Sequence, residues 1–317
     1  MTLADDIKST RTIKEKSLNA YMGSLKKIYK EVIGDDNIDS DTFNNANFLK
    51  KKHYKKVSDF LDTLKLPTKK NYLSAILVAL TVEPEKNEKI IQEYRNNLDI
   101  IASAYTEQIK TQMKSKKLET NWTSMEKLKK IVGKYKRNIR EEGLLTKETW
   151  DKKEMELYKM YLVGSLYTLI PPVRNDYADM KIINFKEYNK LKDKTDNYLV
   201  VVGRSKKFFS FGAYKTSDLY GVQINQIPSE LNRIINKWLE HNKSDYFLIN
   251  KQGNPVGDNS LTKLINKTFA SSGRKVGSTL IRHVYLSEKY EPLNDEKEAD
   301  SKAMMHSKST QNDYIKK

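Results

Sequence analysis

The spacing of apolar residues is the feature that most constrains this 317-residue chain. Along most of its length, apolar side chains recur three and four residues apart, which places them on one face of a helix. This pattern changes only between residues 182 and 227, where short runs rich in β-branched and aromatic residues alternate with glycines. The sequence therefore predicts a mainly α-helical protein with one small antiparallel β-sheet inserted in its second half.

A basic stretch at residues 114–117 lacks any apolar period and separates two regions. Before it, four helical patterns predict a small bundle, preceded by polar residues 1–16 that we expect to form a loose arm. After it, helical patterns resume at Trp122 and, beyond the sheet, at residues 231–239, 261–269, 279–290 and 296–305. We predict two domains, an N-terminal arm with a helical domain over residues 1–116 and a second, mixed domain over residues 117–317.

The charge of the chain indicates its partner. The chain has 58 Lys and Arg against 41 Asp and Glu, a formal net charge of +17. Such an excess destabilises a compact state by self-repulsion unless a polyanion shares the surface. Nucleic acid fits best, because each neutralised phosphate releases condensed counterions. The alternative is that the lysines partly reflect the composition of an AT-rich genome.

Several classes of protein are excluded by what the sequence lacks. Without cysteine, the chain cannot form disulfides, thiolate zinc sites or cysteine nucleophiles. The four histidines do not cluster at metal-ligand spacing, so we expect no bound metal. The first residues lack the apolar run of a secretory signal, and no segment approaches the ~20 apolar residues that span a bilayer. We therefore expect an intracellular protein without a membrane partner.

Two arginines stand in unusual settings. Arg174 follows a helix that ends at two prolines, in LIPPVRNDY, and Arg282 lies within an amphipathic helix, TLIRHVYL. An arginine among apolar residues either reaches the surface or binds an anionic partner. The ordinary interpretation is that Arg174 pairs with Asp176 or Asp179, and that Arg282 pairs with Glu288 or extends into solvent.

Near the end of the sequence, His306 and Tyr314 are separated by the polar stretch SKSTQND. Each has an ordinary interpretation, as a polar residue at a helix end and as one of 19 tyrosines. The order of four segments nevertheless resembles the tyrosine-recombinase (phage-integrase) family, in particular its divergent branch from large DNA viruses and mobile elements. The segments are PPVRNDY, FGAYKTSDLYG, TLIRHVYLSEKY and MMHSKSTQNDYIKK.

The resemblance implies a two-domain fold for breaking and rejoining DNA, with a core-binding domain before the catalytic domain. It implies that Arg174 and Arg282 hold the phosphate, that Lys215 protonates the leaving oxygen, and that His306 assists the nucleophile Tyr314. Where the family usually has a histidine, three residues before the second arginine, this chain has Thr279, an auxiliary candidate at most. The first segment also has Tyr177 where a glutamate is frequent.

The implied function is site-specific recombination or integration through a 3′-phosphotyrosyl intermediate. Such an enzyme needs no cofactor, metal or ATP and takes no small-molecule substrate, and its implied partners are double-stranded DNA and further copies of itself, as a tetramer. A viral or mobile-element origin would place it in the cytoplasm, a nucleoid, a host nucleus or a viral factory.

Three other functions stay open. A type IB topoisomerase uses the same residues and chemistry as a monomer. A non-catalytic DNA-binding relative would keep the basic surface alone. A metal-dependent nuclease would use Asp176, Asp179 or Glu288, although these acids have no supporting motif.

Overall fold

The structure is a computed structural model that describes residues 2–34, 44–111 and 113–305. The chain divides into two compact units, residues 1–113 and residues 114–317, and the boundary predicted from the sequence lies between residues 116 and 117. Most described residues are helical, and the second unit contains a small four-stranded sheet, so the expectation of a mainly α-helical protein is confirmed. Within these ranges no helix has both the length and the apolar character needed to cross a membrane.

The described part of the first unit contains a bundle of helices around its own apolar core. They are α1 (Leu3–Thr10), α2 (Glu15–Ile33), α3 (Tyr54–Asp62), α4 (Leu66–Leu80) and α5 (Pro84–Lys110). Helix α2 ends where Gly34 takes a φ of 80° and donates its N–H to Lys30, the left-handed geometry that glycine favours. Pro67 and Pro84 lie in the first turns of α4 and α5, where a missing N–H is tolerated.

The prediction that residues 1–16 form a loose arm is wrong. Thr2 and Asp5 form a capping box that starts α1, and Leu3 and Ile7 are buried in the core of the first unit. Two apolar residues four positions apart anchor this short helix. The pattern is too short to predict a helix from sequence, but it suffices once a core is available.

Helix α8 is the centre of the second unit. Nearly all of its residues from Tyr158 to Thr168 are buried, and it packs against α7, α11 and α12. Asp151 begins α8 with a capping box. The helices of this unit are α6 (Lys116–Asn121), α7 (Met125–Glu141), α8 (Lys152–Thr168), α9 (Phe185–Lys190), α10 (Ser217–Tyr220), α11 (Ser229–His241), α12 (Asp258–Thr268) and α13 (Ser278–Ala303).

Helix α13 is continuous where the sequence predicted two helices, over residues 279–290 and 296–305. Its first turns pack into the core through Leu280, Ile281 and Val284. Between the two predicted helices, Glu291 and residues 293–295 are exposed. A helix in solvent needs no apolar stripe to continue, so the loss of the pattern does not mark its end.

The sheet has the order β1–β2–β3–β4 and is mixed. Its strands are β1 (Lys181–Asn184), β2 (Asn197–Val201), β3 (Lys207–Phe211) and β4 (Gln223–Gln226). The prediction of a purely antiparallel sheet is wrong at one pair, since β1 runs parallel to β2. Helix α9 lies between these strands in the chain, and a crossover of this kind allows two neighbouring strands to run in the same direction.

Both faces of the sheet are covered. Leu199 and Phe209 belong to the main core of the unit, whereas Tyr198, Val200 and Phe208 pack with Tyr188 of α9. Because side chains alternate between the faces, β2 and β3 are buried almost throughout. The buried strands β2 and β3 therefore hold the loops at their ends in fixed positions.

Candidate functional site

Arg174 lies in the loop that follows α8, and its backbone is fixed on both sides. The Tyr167 hydroxyl donates to the Arg174 carbonyl at 2.7 Å. The Arg174 N–H donates to Asp176 Oδ2 at 3.1 Å. Its side chain is exposed and makes no ion pair with a described residue, so the ordinary pairing with Asp176 or Asp179 is absent there. The loop thus holds the residue in place and leaves its guanidinium available.

Arg282 lies in the part of α13 that packs on the core, between the buried Ile281 and Val284. Burial lowers the pKa of the Arg282 guanidinium, and the charge of Arg174 lowers it further, while Asp176 opposes both effects. The two arginines therefore lie within electrostatic range of each other. Two neighbouring cations repel each other, and an anion bound between them would remove this repulsion.

The ordinary partner expected for Arg282 is used elsewhere. Both carboxylate oxygens of Glu288 accept from the Met125 N–H, at 3.1 and 3.3 Å. This carboxylate lies at the start of α7, where backbone N–H groups have no helical acceptor. Among the described residues Arg282 has no ion pair.

Asn175, next to Arg174, connects the two arginine segments. Its Nδ2 donates to the Asp258 carbonyl at 3.1 Å and to Thr262 Oγ1 at 2.7 Å. Its Oδ1 accepts from Ser278 Oγ at 2.8 Å. Ser278 precedes Arg282 by one helical turn and shares its side of α13. One amide side chain therefore ties the Arg174 loop to α12 and to the turn of α13 that leads to Arg282.

Lys215 lies in the connection between β3 and β4, which pair as an antiparallel hairpin with Phe211 opposite Gln223. The connection contains α10, and the Lys215 side chain is exposed. Gly212 begins the connection and donates its N–H to the Asp196 carbonyl at 3.1 Å. A Cβ at Gly212 would lie 1.9 Å from the Lys194 carbonyl oxygen, so only glycine allows this approach.

Asn197, a buried residue at the start of β2, joins the Lys215 hairpin to the Arg174 loop. Its Oδ1 accepts from the Ala213 N–H at 2.9 Å. Its Nδ2 donates to the carbonyls of Ala213 and Asp176, each at 2.9 Å. Ala213 and Asp176 each lie two residues from a candidate side chain, Lys215 and Arg174 respectively. The structure thus brings the segments of three predicted site residues together, through Asn175 and Asn197.

Asp176 is the acidic residue of this site. Burial raises the pKa of its carboxyl, whereas its bond from the Arg174 N–H and the charges of Arg174 and Arg282 oppose the rise. Asp176 therefore adds at most one negative charge beside two guanidiniums.

The remaining candidates are placed differently. Thr279 lies in the first turn of α13, exposed and without a side-chain hydrogen bond to a described residue. His306 and Tyr314 lie outside the described residues. Tyr177, which replaces the frequent glutamate, is fully buried beside Tyr167, Phe209 and Phe211.

Three site residues were missed from the sequence: Asn175, Asn197 and Ser278. Asn175 had one signal, its position directly after Arg174. Asn197 and Ser278 had none, because their roles depend on contacts distant in sequence. In the described ranges no group of three or more histidine, aspartate or glutamate side chains is arranged to hold a metal ion.

Comparisons with known proteins add no assignment. The chain matches no protein-family model, no curated protein and no solved structure.

Proposed function

We propose that the chain is a site-specific DNA recombinase or integrase that cuts and rejoins DNA through a 3′-phosphotyrosyl intermediate on Tyr314. The observation that carries this proposal is that the Arg174 loop is hydrogen-bonded to the start of α13, while neither Arg174 nor Arg282 has an ion pair with a described residue. The segments around them come from distant parts of the sequence and are joined by Asn175. A site that keeps two guanidiniums unpaired favours a doubly contacted anion.

A DNA phosphodiester fits such a site. Each guanidinium offers several N–H donors in a plane and forms short, charge-assisted bonds to non-bridging oxygens. The same donors stabilise the additional negative charge that develops when a nucleophile attacks phosphorus. Partial burial of Arg282 strengthens these interactions, because water screens them less.

The remaining steps belong to Tyr314 and Lys215. The phenolate oxygen of Tyr314 attacks phosphorus, the bond from phosphorus to the 5′-oxygen breaks, and the leaving oxygen takes a proton from Lys215. Since an unperturbed tyrosine has a pKa of about 10, nearby cations must favour the phenolate, and Arg174, Arg282 and His306 are the candidates. Rejoining reverses these steps, so the cycle consumes no ATP. Thr279 would at most assist.

The charge distribution supports DNA as the partner. In the first unit, Lys51, Lys52, Lys55 and Lys56 are exposed, and no carboxylate among the described residues neutralises them. Together with the net charge of +17 they favour a surface that follows phosphates. We assign DNA binding to residues 1–116 and catalysis to residues 117–317, in a homo-oligomer, a tetramer, on DNA.

The test is covalent trapping. Wild-type protein is incubated with random nicked duplexes, and adducts that survive denaturation are isolated and their DNA sequenced. We expect a 3′-linked adduct that disappears in Tyr314→Phe while DNA affinity stays unchanged. An adduct that persists in Tyr314→Phe would remove Tyr314 from its role, and no adduct from wild type would indicate a non-catalytic DNA-binding relative.

A plasmid without the trapped sequence separates the recombinase from a type IB topoisomerase. A topoisomerase relaxes such a plasmid as a monomer, whereas a site-specific recombinase leaves it supercoiled. Relaxation at catalytic protein concentration would replace the recombinase assignment.

A further inference from the structure

A second cationic cleft lies among α7, α8, α11 and the turn between β2 and β3. Its volume is about 590 Å³, and Arg174, Lys215 and Arg282 are not among the residues that line it. The buried side chains of Tyr158, Tyr161 and Ile234 contribute to its lining. Seven of the other lining side chains are charged, namely the cations Lys136, Arg140, Arg204, Arg233 and Lys237 and the carboxylates Glu230 and Glu240.

The carboxylates neutralise only part of this charge. Glu230 pairs with Lys136 at 3.1 Å. Glu240 is shared between Lys237 at 3.1 Å and Arg204 at 3.6 Å. Arg140 and Arg233 have no ion pair with any residue that the structure describes. The cleft therefore has an excess of positive charge, and two of its arginines have no acidic partner there.

Arg140 and Arg233 come from different helices and line the cleft together with Tyr161. Burial raises the pKa of the Tyr161 hydroxyl to about 12, Glu230 adds to the rise, and the charges of Arg140 and Arg233 oppose it. Both guanidiniums thus lie within electrostatic range of this hydroxyl, which stays protonated at neutral pH and is able to donate a hydrogen bond. The cleft combines planar cationic donors on two sides with a neutral donor in its lining.

The turn that carries Arg204 is held by a buried ammonium group. Lys207 is 2% exposed, and its Nζ donates to the carbonyls of Gly203 and Arg204 at 3.3 and 3.2 Å. Two side chains of α11 complete the network, since Asn232 and Asn236 accept from Lys207 Nζ and donate to the Arg204 carbonyl. The turn is therefore bound to α11 at several points.

This network places two cations together. Burial lowers the pKa of Lys207, and the charge of Arg204 lowers it further. Lys207 donates only to neutral oxygens, so no carboxylate compensates the positive charge of its ammonium group. A buried charge of this kind has a large desolvation cost, and it adds to the positive potential of the cleft.

We propose that this cleft is a second anion site, which binds a phosphate group between Arg140, Arg233 and Arg204. Guanidiniums from two helices and one turn surround the site, a geometry suited to the several oxygens of a phosphate. The phosphate has two sources of the same chemistry, a free phosphorylated compound or the backbone of bound DNA. Neither source depends on Tyr314, so the site stands or falls independently of the proposed strand cleavage.

The test uses inorganic pyrophosphate as one probe and a short DNA duplex as the other, both by titration calorimetry at fixed salt. The cleft variant is Arg140→Gln with Arg233→Gln. The control is Lys134→Gln with Arg137→Gln, two exposed residues of α7 that do not line the cleft, so both variants lose the same charge. Thermal unfolding verifies that each variant folds. If the glutamine pair does not fold, the single variants Arg140→Gln and Arg233→Gln replace it, each compared with Arg137→Gln.

We expect the cleft variant to lose at least about tenfold in affinity for one probe while the control loses less than about twofold. A loss confined to pyrophosphate identifies a free phosphorylated ligand. A loss for DNA, with or without pyrophosphate binding, identifies a backbone phosphate. If the cleft variant and the control behave alike toward both probes, the cleft is only part of a generally basic surface and the proposal is overturned.

Discussion

Replacing Asn197 by alanine tests whether the link between the Lys215 hairpin and the Arg174 loop matters for chemistry. The side chain makes three hydrogen bonds of 2.9 Å, two to Ala213 and one to the Asp176 carbonyl. Each is worth about 0.5–1.5 kcal/mol net, and water compensates in part because Ala213 is exposed. We therefore expect Asn197→Ala to lower the free energy of unfolding by about 2–3 kcal/mol.

The expected effect of Asn197→Ala on DNA cleavage comes from a change in the position of Lys215 and not from the loss of protein stability. Misplacing a reacting group by roughly 1 Å reduces a rate about 100-fold, so formation of the covalent adduct on a nicked duplex is expected to slow by about 30–100-fold. A substrate with a 5′-thiol leaving group needs no proton from Lys215 and should slow by less than about threefold. The comparison is made in single turnover, well below the unfolding temperature of the variant.

Asn225→Ala is the matched control, because Asn225 lies on β4 and makes no side-chain hydrogen bond to a described residue. It should leave both rates unchanged. If Asn197→Ala slowed the normal and the 5′-thiol substrates equally, the link would not act through Lys215, and the argument that Asn197 positions Lys215 would be refuted.

Three further predictions concern the same region. Gly212→Ala places a Cβ 1.9 Å from a backbone oxygen, so we expect it to lower the free energy of unfolding in urea by about 3 kcal/mol. The control is Gly203→Ala, whose Cβ meets nothing within 4 Å and which should change this free energy by less than about 0.5 kcal/mol. Tyr177→Phe removes a buried hydroxyl that has no partner among the described residues and should stabilise by about 1 kcal/mol, and a clear loss would reveal a hidden acceptor. Asp176→Asn should be more stable than wild type at neutral pH, because burial raises the pKa of Asp176 and its carboxylate is ionised there at a cost. That advantage should vanish as pH falls below the ordinary value of 3.8, where the carboxyl is protonated in both the folded and the unfolded state, and a difference independent of pH would contradict it.

Local patterns predicted most of the secondary structure. The apolar period predicted the helical bundle of the first unit, and the change of pattern between residues 182 and 227 located the four-stranded sheet. The errors have physical causes. The parallel β1–β2 pair depends on the path of the chain through α9, which no strand pattern encodes, and α13 continues through an exposed segment where periodicity carries no information.

The candidate site was predicted in part. Arg174 and Arg282 were visible because each stands out against apolar neighbours, and the structure brings them within electrostatic range. The role of Asn197 could not be predicted from the sequence, because this side chain hydrogen-bonds two loops that only the fold brings together. The roles given to His306 and Tyr314 stay predictions, because they lie outside the described residues.

The repulsion between Arg174 and Arg282 couples ligand binding to the stability of the whole unit. The folded protein without an anion stores an unfavourable energy that the unfolded chain does not have, because unfolding separates the two guanidiniums. An anion that binds only the folded state relieves this repulsion and adds its own binding free energy, so the melting temperature should rise with its concentration. The arrangement that we propose to receive a phosphate thus makes the protein without an anion less stable than its core alone would allow.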